Sequence, residues 1–226
     1  MSQLKGNDEF MKIKGAIFDF DGTLFDSMSI WETAGKDYLQ TINRQPKENL
    51  WQKLRTMSLL QSADFLKTEY GLTQTINEII DGINQTVEEF YFNQAMPKEN
   101  VVTFLNFLKS NNIKMCIATA TDCYLVEAAL KRCHMLNYFE KIYTCSEVGF
   151  GKDQPHIFNR AAEFLQTTPD KTAVFEDSYY AAKTAKLAGF KLVGVYDRYE
   201  PQQNKLKEIS DIYLTDFLSE GESIWI

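Results

Sequence analysis

Asp19 and Asp21 stand one residue apart at the end of an apolar run, in the stretch GAIFDFDGTLFDS at residues 15–27. Two like charges at a strand tip repel each other, so a further partner is required. Three later segments carry groups of matching chemistry. KMCIATATD contains Thr119 and Ala120, SEVGFGKDQP contains Lys152, and TAVFEDS contains Glu176 and Asp177. Brought together, these would be four carboxylates and one lysine, with no histidine. Such a cluster cannot stay ionised at low dielectric without a cation. Oxygen donors without His or Cys point to Mg²⁺ rather than zinc. A hydrated Mg²⁺ held by a few carboxylates commonly meets a phosphate. Lys152, Thr119 and the backbone N–H groups after Asp19 and Thr119 would hydrogen-bond its oxygens. Alternation along an extended chain would let Asp19 and Asp21 reach the same side of the pocket.

The elements that must position these residues are legible in the hydrophobic pattern. Short apolar runs at 13–20, 113–118, 141–145, 172–175, 191–195 and 212–214 predict strands, and segments of helical period lie between them at 99–110, 124–133, 156–165 and 179–187. In the first of these helices, Val101, Phe104, Leu105 and Leu108 follow the i, i+3, i+4, i+7 spacing of one buried face. Near-continuous apolar strands alternating with helices predict an α/β fold, a Rossmann-like doubly wound parallel sheet covered on both sides. Ligands of such sheets bind beyond the carboxyl ends of the strands. Each cluster above falls at such an end.

Residues 28–94 break the rhythm. They contain no convincing strand and read as amphipathic helices at 30–42, 50–54, 58–70 and 76–92, the last with Ile79, Ile80, Ile83, Val87 and Phe90 on one face. A helices-only segment after the first strand predicts an inserted α-helical cap domain at 28–96. The α/β core would then comprise residues 1–27 and 97–226, with linkers near 25–28 and 93–97.

The chain has 226 residues, 44% hydrophobic and 24% charged, with a formal net charge of -7. That is an ordinary soluble composition with room for a substantial core. No basic stripe exists, which argues against nucleic acid and anionic membrane as partners. No apolar run is long enough to span a bilayer. The polar start, MSQLKGNDEF, lacks a signal-peptide core and reads as a vector remnant or a frayed native tail, with Met11 as a candidate initiator. Cys116, Cys123, Cys133 and Cys145 lack tight metal spacing and read as reduced, buried thiols of a cytoplasmic protein.

DFDGTLFDS, Thr119, Lys152 and FEDS resemble, in order and spacing, the four motifs of the haloacid dehalogenase superfamily. The helical insertion is similar to the small cap of its members that resemble β-phosphoglucomutase and phosphoglycolate phosphatase. The resemblance implies that Asp19 is the nucleophile, forming an aspartyl-phosphate, and that Asp21 is the general acid and then base. It implies that Thr119 and Lys152 hold the phosphoryl oxygens. Mg²⁺ would be bound by Asp19, the main-chain carbonyl of Asp21 and Asp177, with Glu176 in support. Asp21 argues for phosphoryl transfer, because the family's true dehalogenases lack the second aspartate.

The family's sugar-phosphate mutases carry a histidine in the cap linker and a glycine- and arginine-bearing cap loop. Here the first position is Trp31, and the nearest segment to the second, LRTMSLLQSADF, has Arg55 but no glycine. The expectation is therefore a phosphatase acting on a small phosphorylated metabolite, as a monomer or weak homodimer. A mutase and a non-catalytic phosphate-binding protein are the alternatives. Where relatives often place a glycine after the fourth motif, this chain has Tyr179 and Tyr180. Asp177 and Ser178 could also cap the helix that begins there. Trp31 reads as cap core or substrate contact, Arg55 and residues 58–70 as candidate substrate contacts, His156 as a helix-end residue and His134 as surface.

Overall fold

The computed structural model describes residues 12–218; the reading of residues 1–11 lies outside them. Six parallel strands form one sheet: β1 (Gly15–Phe18), β2 (Lys114–Thr119), β3 (Lys141–Thr144), β4 (Thr172–Glu176), β5 (Lys191–Val195) and β6 (Ile212–Leu214), in the order β3-β2-β1-β4-β5-β6. The order reverses at β1, so the crevice beyond the carboxyl ends of β1, β2 and β4 is where such a sheet binds ligands. Helices α1 (Met28–Thr41), α2 (Leu50–Leu54), α3 (Leu59–Tyr70) and α4 (Ile76–Asn93) follow β1 without an intervening strand. Then come α5 (Val101–Ser110), α6 (Cys123–Arg132), α7 (Cys145–Val148), α8 (His156–Leu165), α9 (Tyr179–Leu187) and α10 (Gln203–Ile209).

The strands read as unbroken apolar runs because both faces are covered. Along β1, Ala16 and Phe18 join one hydrophobic cluster while Ile17 joins another; Ala173 and Phe175 alternate with Val174 on β4 in the same way. The parallel register sets Phe18 opposite Phe175, and their rings stack with centroids 4.2 Å apart. Helices α5 and α6 cover that face, with Phe104 edge-on to Phe175, and α8 and α9 cover the other through Ile157, Phe158, Ala181 and Ala185.

The ends of the helical insert lie side by side. Phe25 and Pro97 form an antiparallel bridge, Asp26 N–H donates to the Met96 carbonyl at 3.0 Å, and Lys98 N–H donates to the Leu24 carbonyl at 2.8 Å. Within the insert, α3 and α4 each begin with a capping box, Ser58 with Gln61 and Thr75 with Glu78.

Several expectations are corrected. The first strand stops at Phe18, so Asp19 and Asp21 do not sit on an extended strand. The chain turns back at once: Leu24 N–H and Phe25 N–H both donate to the Phe20 carbonyl, and Gly22 takes φ +75°. The third run ends at Thr144, and Cys145 starts a helical turn capped by the Thr144 hydroxyl. Ser58 is a cap, not a helical residue, and α10 carried no signal that was read. Cys116 and Cys145 are buried free thiols, pushed by burial up to about 12 and about 11, whereas Cys123 is exposed and Cys133 half-buried.

Because Phe175 is fully buried between two aromatic neighbours, Phe175→Ala should lower stability by about 3–5 kcal/mol. Urea unfolding followed by circular dichroism measures this.

Candidate active site

Asp19 leaves the end of β1 with its N–H donating to the Phe175 carbonyl at 3.0 Å, which anchors it beside β4. Its Oδ1 lies 2.6 Å from Lys152 Nζ, and Glu176 Oε1 lies 2.5 Å from the same nitrogen. Lys152 is 3% exposed, so this ammonium is nearly cut off from water. Burial alone would depress its pKa, but Asp19 and Glu176 outweigh that and hold it above the ordinary lysine value. One lysine does not balance the site. Asp19, Glu176 and Asp177 each present a carboxylate oxygen, all within 4.8 Å of one another. Burial raises Asp177 well above the carboxylate range, and the charges of Asp19, Glu176 and Asp197 raise it further. Burial also raises Glu176, against the opposing pull of Lys152. Two carboxylates driven toward neutrality beside a third fit a hard cation held by oxygen donors. Thr23 Oγ1 donates to Asp177 Oδ1 at 3.0 Å, and Gly22 passes so close that a Cβ there would come 2.4 Å from Asp177 Oδ2. The glycine of the first motif thus provides both the left-handed turn and the clearance.

Asp21 faces a different set of groups. Its Oδ1 accepts hydrogen bonds from the Ser27 hydroxyl at 2.5 Å and from the Tyr91 hydroxyl, and its Oδ2 accepts one from Thr121 Oγ1 at 2.6 Å. Burial and the Asp19 charge raise its pKa; these three bonds pull it back but do not cancel the rise. The Asp21 side chain lies outside the metal-capable group of Asp19, Glu176 and Asp177. Ser27 precedes α1 but makes no side-chain cap bond to it; the hydroxyl goes to Asp21 instead. Tyr91 belongs to the insert, and Trp31 Nε1–H donates to its oxygen at 2.7 Å. Tyr91 was missed by the sequence reading. The i+4 series Ile83, Val87, Tyr91 would have found it, since a hydroxyl on a buried face needs a partner.

All the expected residues line one cavity between sheet and insert: Asp19, Asp21, Thr119, Ala120, Lys152, Glu176 and Asp177, with Trp31 and Arg55 opposite. Thr119 is buried, and its Oγ1 accepts the Thr121 N–H at 3.1 Å. Neither Asp177 nor Ser178 caps α9. Glu200 does this, its Oε2 accepting the Tyr179 N–H at 3.1 Å and the Arg55 guanidinium at 3.0 Å. No local pattern announces Glu200, which shares the loop after β5 with a second acid, Asp197. Of the two tyrosines, Tyr180 lines the cavity, and the small Ala181, Ala182 and Ala185 let α9 pack against the sheet. His156 opens α8 with its ring 4.1 Å from that of Phe150, and His134 is exposed.

Residues 16–195 match the haloacid dehalogenase-like hydrolase family. The chain belongs to this family. Among its curated relatives, the phosphorylated carbohydrates phosphatase of Thermotoga maritima is 24% identical over 181 residues, covering 80% of this chain and 84% of that protein. The β-phosphoglucomutase of Bacillus subtilis is 24% identical over 192 residues, covering 81% and 83%. A hydrolase from Pseudomonas syringae superposes with a TM-score of 0.73 at 25% identity, covering 91% and 94%. This family member is therefore a hydrolase akin to phosphatases, with an acidic group suited to a metal ion.

Removing the ammonium should leave Asp19 and Glu176 buried without a counter-charge. Lys152→Ala is expected to cost about 3–5 kcal/mol in urea denaturation. Adding Glu176→Gln should recover part of that loss, because one of the stranded charges is gone.

Proposed function

We propose that this chain is a magnesium-dependent phosphatase that releases inorganic phosphate from a small phosphorylated metabolite through an aspartyl-phosphate. The observation that carries this is the division of labour between two neighbouring carboxylates. Asp19 sits among Lys152, Glu176 and Asp177, where a nucleophile would be held and its charge balanced. Asp21 is buried among three hydroxyls with a raised pKa, where a proton would be kept and returned.

In this reading an Asp19 oxygen bonds to phosphorus as the bond to the leaving oxygen breaks, and Asp21 gives that oxygen its proton. Water then attacks phosphorus; Asp21, now a carboxylate, takes the water's proton, and the Asp19 carboxylate is regained with phosphate released. Lys152, Thr119 and the Ala120 N–H hold the non-transferred oxygens. Asp19, the main-chain carbonyl of Asp21 and Asp177, supported by Glu176, would hold Mg²⁺. Mg²⁺ so held would screen the repulsion between carboxylate and phosphate. Residues 28–96 act as a cap over the core at 1–27 and 97–226, and its Tyr91 places an insert hydroxyl on Asp21 when the cavity is covered. Water as acceptor, rather than a sugar hydroxyl, is favoured by Trp31 at the mutase histidine position and by Arg55 being engaged by Glu200. The protein would act as a monomer or weak homodimer, and its four free thiols suit a reducing cytoplasm. Among the described residues no helix is long and apolar enough to cross a membrane.

Asp19→Asn should reduce phosphate release from 4-nitrophenyl phosphate by roughly 10⁴-fold or more. Activity retained in that variant would remove Asp19 as nucleophile. Chelation with EDTA should abolish release in the unaltered protein and excess Mg²⁺ should restore it, both followed at 405 nm.

A further inference from the structure

The cavity wall opposite the carboxylates says what the leaving group must be like. Among the described residues that the insert contributes to it, Arg55 alone is charged and Ser62 alone carries a hydroxyl. The rest is apolar or aromatic, notably Trp31, Trp51, Leu54, Met57, Leu59 and Ile83. The few polar groups are largely engaged. The Trp31 N–H is bonded to Tyr91, itself bonded to Asp21. The Arg55 guanidinium lies 3.0 Å from Glu200, whose other oxygen accepts the Gln202 N–H at 2.6 Å, so the one insert cation is already neutralised. Arg55 is mostly shielded at 15% side-chain exposure and Glu200 is buried, so the pair is not a loose surface contact. From the core side Tyr180 and Tyr199 add two more rings.

A wall like this suits a flat, uncharged apolar group. A polyol would lose water from several hydroxyls and find few partners, and each buried hydroxyl left unpaired costs affinity. A second phosphate would find its only insert cation occupied. We infer that the substrate class is the phosphate monoester of an uncharged aromatic alcohol, in preference to a sugar phosphate or a bisphosphate. This rests on the phosphatase reading above for its chemistry, but the wall itself concerns binding and is testable apart from turnover.

Benzyl phosphate, glucose 6-phosphate and fructose 1,6-bisphosphate each release a primary alcohol, so their intrinsic reactivities are close and differences report the pocket. The ratio of kcat/KM for benzyl phosphate to that for either sugar compound should be about tenfold or more. Trp51→Ala should lower this ratio by about fivefold. Equal or better turnover of either sugar compound overturns the inference, and so does an unchanged ratio in Trp51→Ala. If no phosphate is released from any compound, 4-nitrophenyl phosphate included, the phosphatase reading fails while the pocket is still open to test. Quenching of tryptophan fluorescence then decides it: benzyl phosphate binding about tenfold tighter than glucose 6-phosphate supports the inference, and equal binding overturns it.

Discussion

One buried ammonium organises this molecule. Lys152 reaches from the loop between α7 and α8 and lies within 2.6 Å of carboxylates that follow β1 and end β4. Ion pairs taken out of water hold together only when the geometry is tight and the remaining polar atoms are satisfied. The β1–β4 register and the Asp19 N–H bond to Phe175 provide that geometry. Yet the lysine balances one charge of three, and the surplus on Asp177 and Glu176 is the imbalance that a cation and a phosphate together would remove.

That imbalance separates the two aspartates of the first motif. Placed on one extended strand they would share an environment and compete for one proton. The turn at Gly22 instead sends Asp21 toward hydroxyls from three different parts of the chain, Ser27 before α1, Thr121 after β2 and Tyr91 on α4. Asp19 is left with the ammonium. Neutral donors stabilise a carboxylate less than a cation does, so burial prevails at Asp21 and its proton is retained more easily. The two carboxylates thereby acquire different chemistry from a difference in backbone path.

The insert is joined to the core by more than its two adjacent ends. Tyr91 touches Asp21, Asn84 Nδ2 donates to Asp122 Oδ2 at 2.7 Å, and Arg55 pairs with Glu200. Each contact couples an insert residue to a loop that follows a strand of the sheet. The covering of the cavity and the arrangement of its polar groups are therefore one event, since separating the layers would break all three. The apolar wall between these contacts keeps water scarce around the site, and burial is the main cause that raises the pKa of Asp21, Glu176 and Asp177.

The sequence by itself determined the strand-helix alternation, the helices-only insert, and the set Asp19, Asp21, Thr119, Lys152, Glu176 and Asp177. Hydrophobic period is a local property, and the functional group a residue carries is fixed by its type. It also ran one strand too far: FDFD alternates like a strand, but the hydrogen bonds that turn the chain at Phe20 come from residues downstream. Only the tertiary structure decided which carboxylate meets the ammonium and which meets hydroxyls, that Glu200 caps α9 and holds Arg55, and that Tyr91 completes the Asp21 site. The partners lie apart in the chain, 21 positions for Tyr179 with Glu200, 70 for Tyr91 with Asp21 and 145 for Arg55 with Glu200. No local pattern encodes such pairs, because their energies arise when the sheet and the insert close on each other and exclude water from the space between.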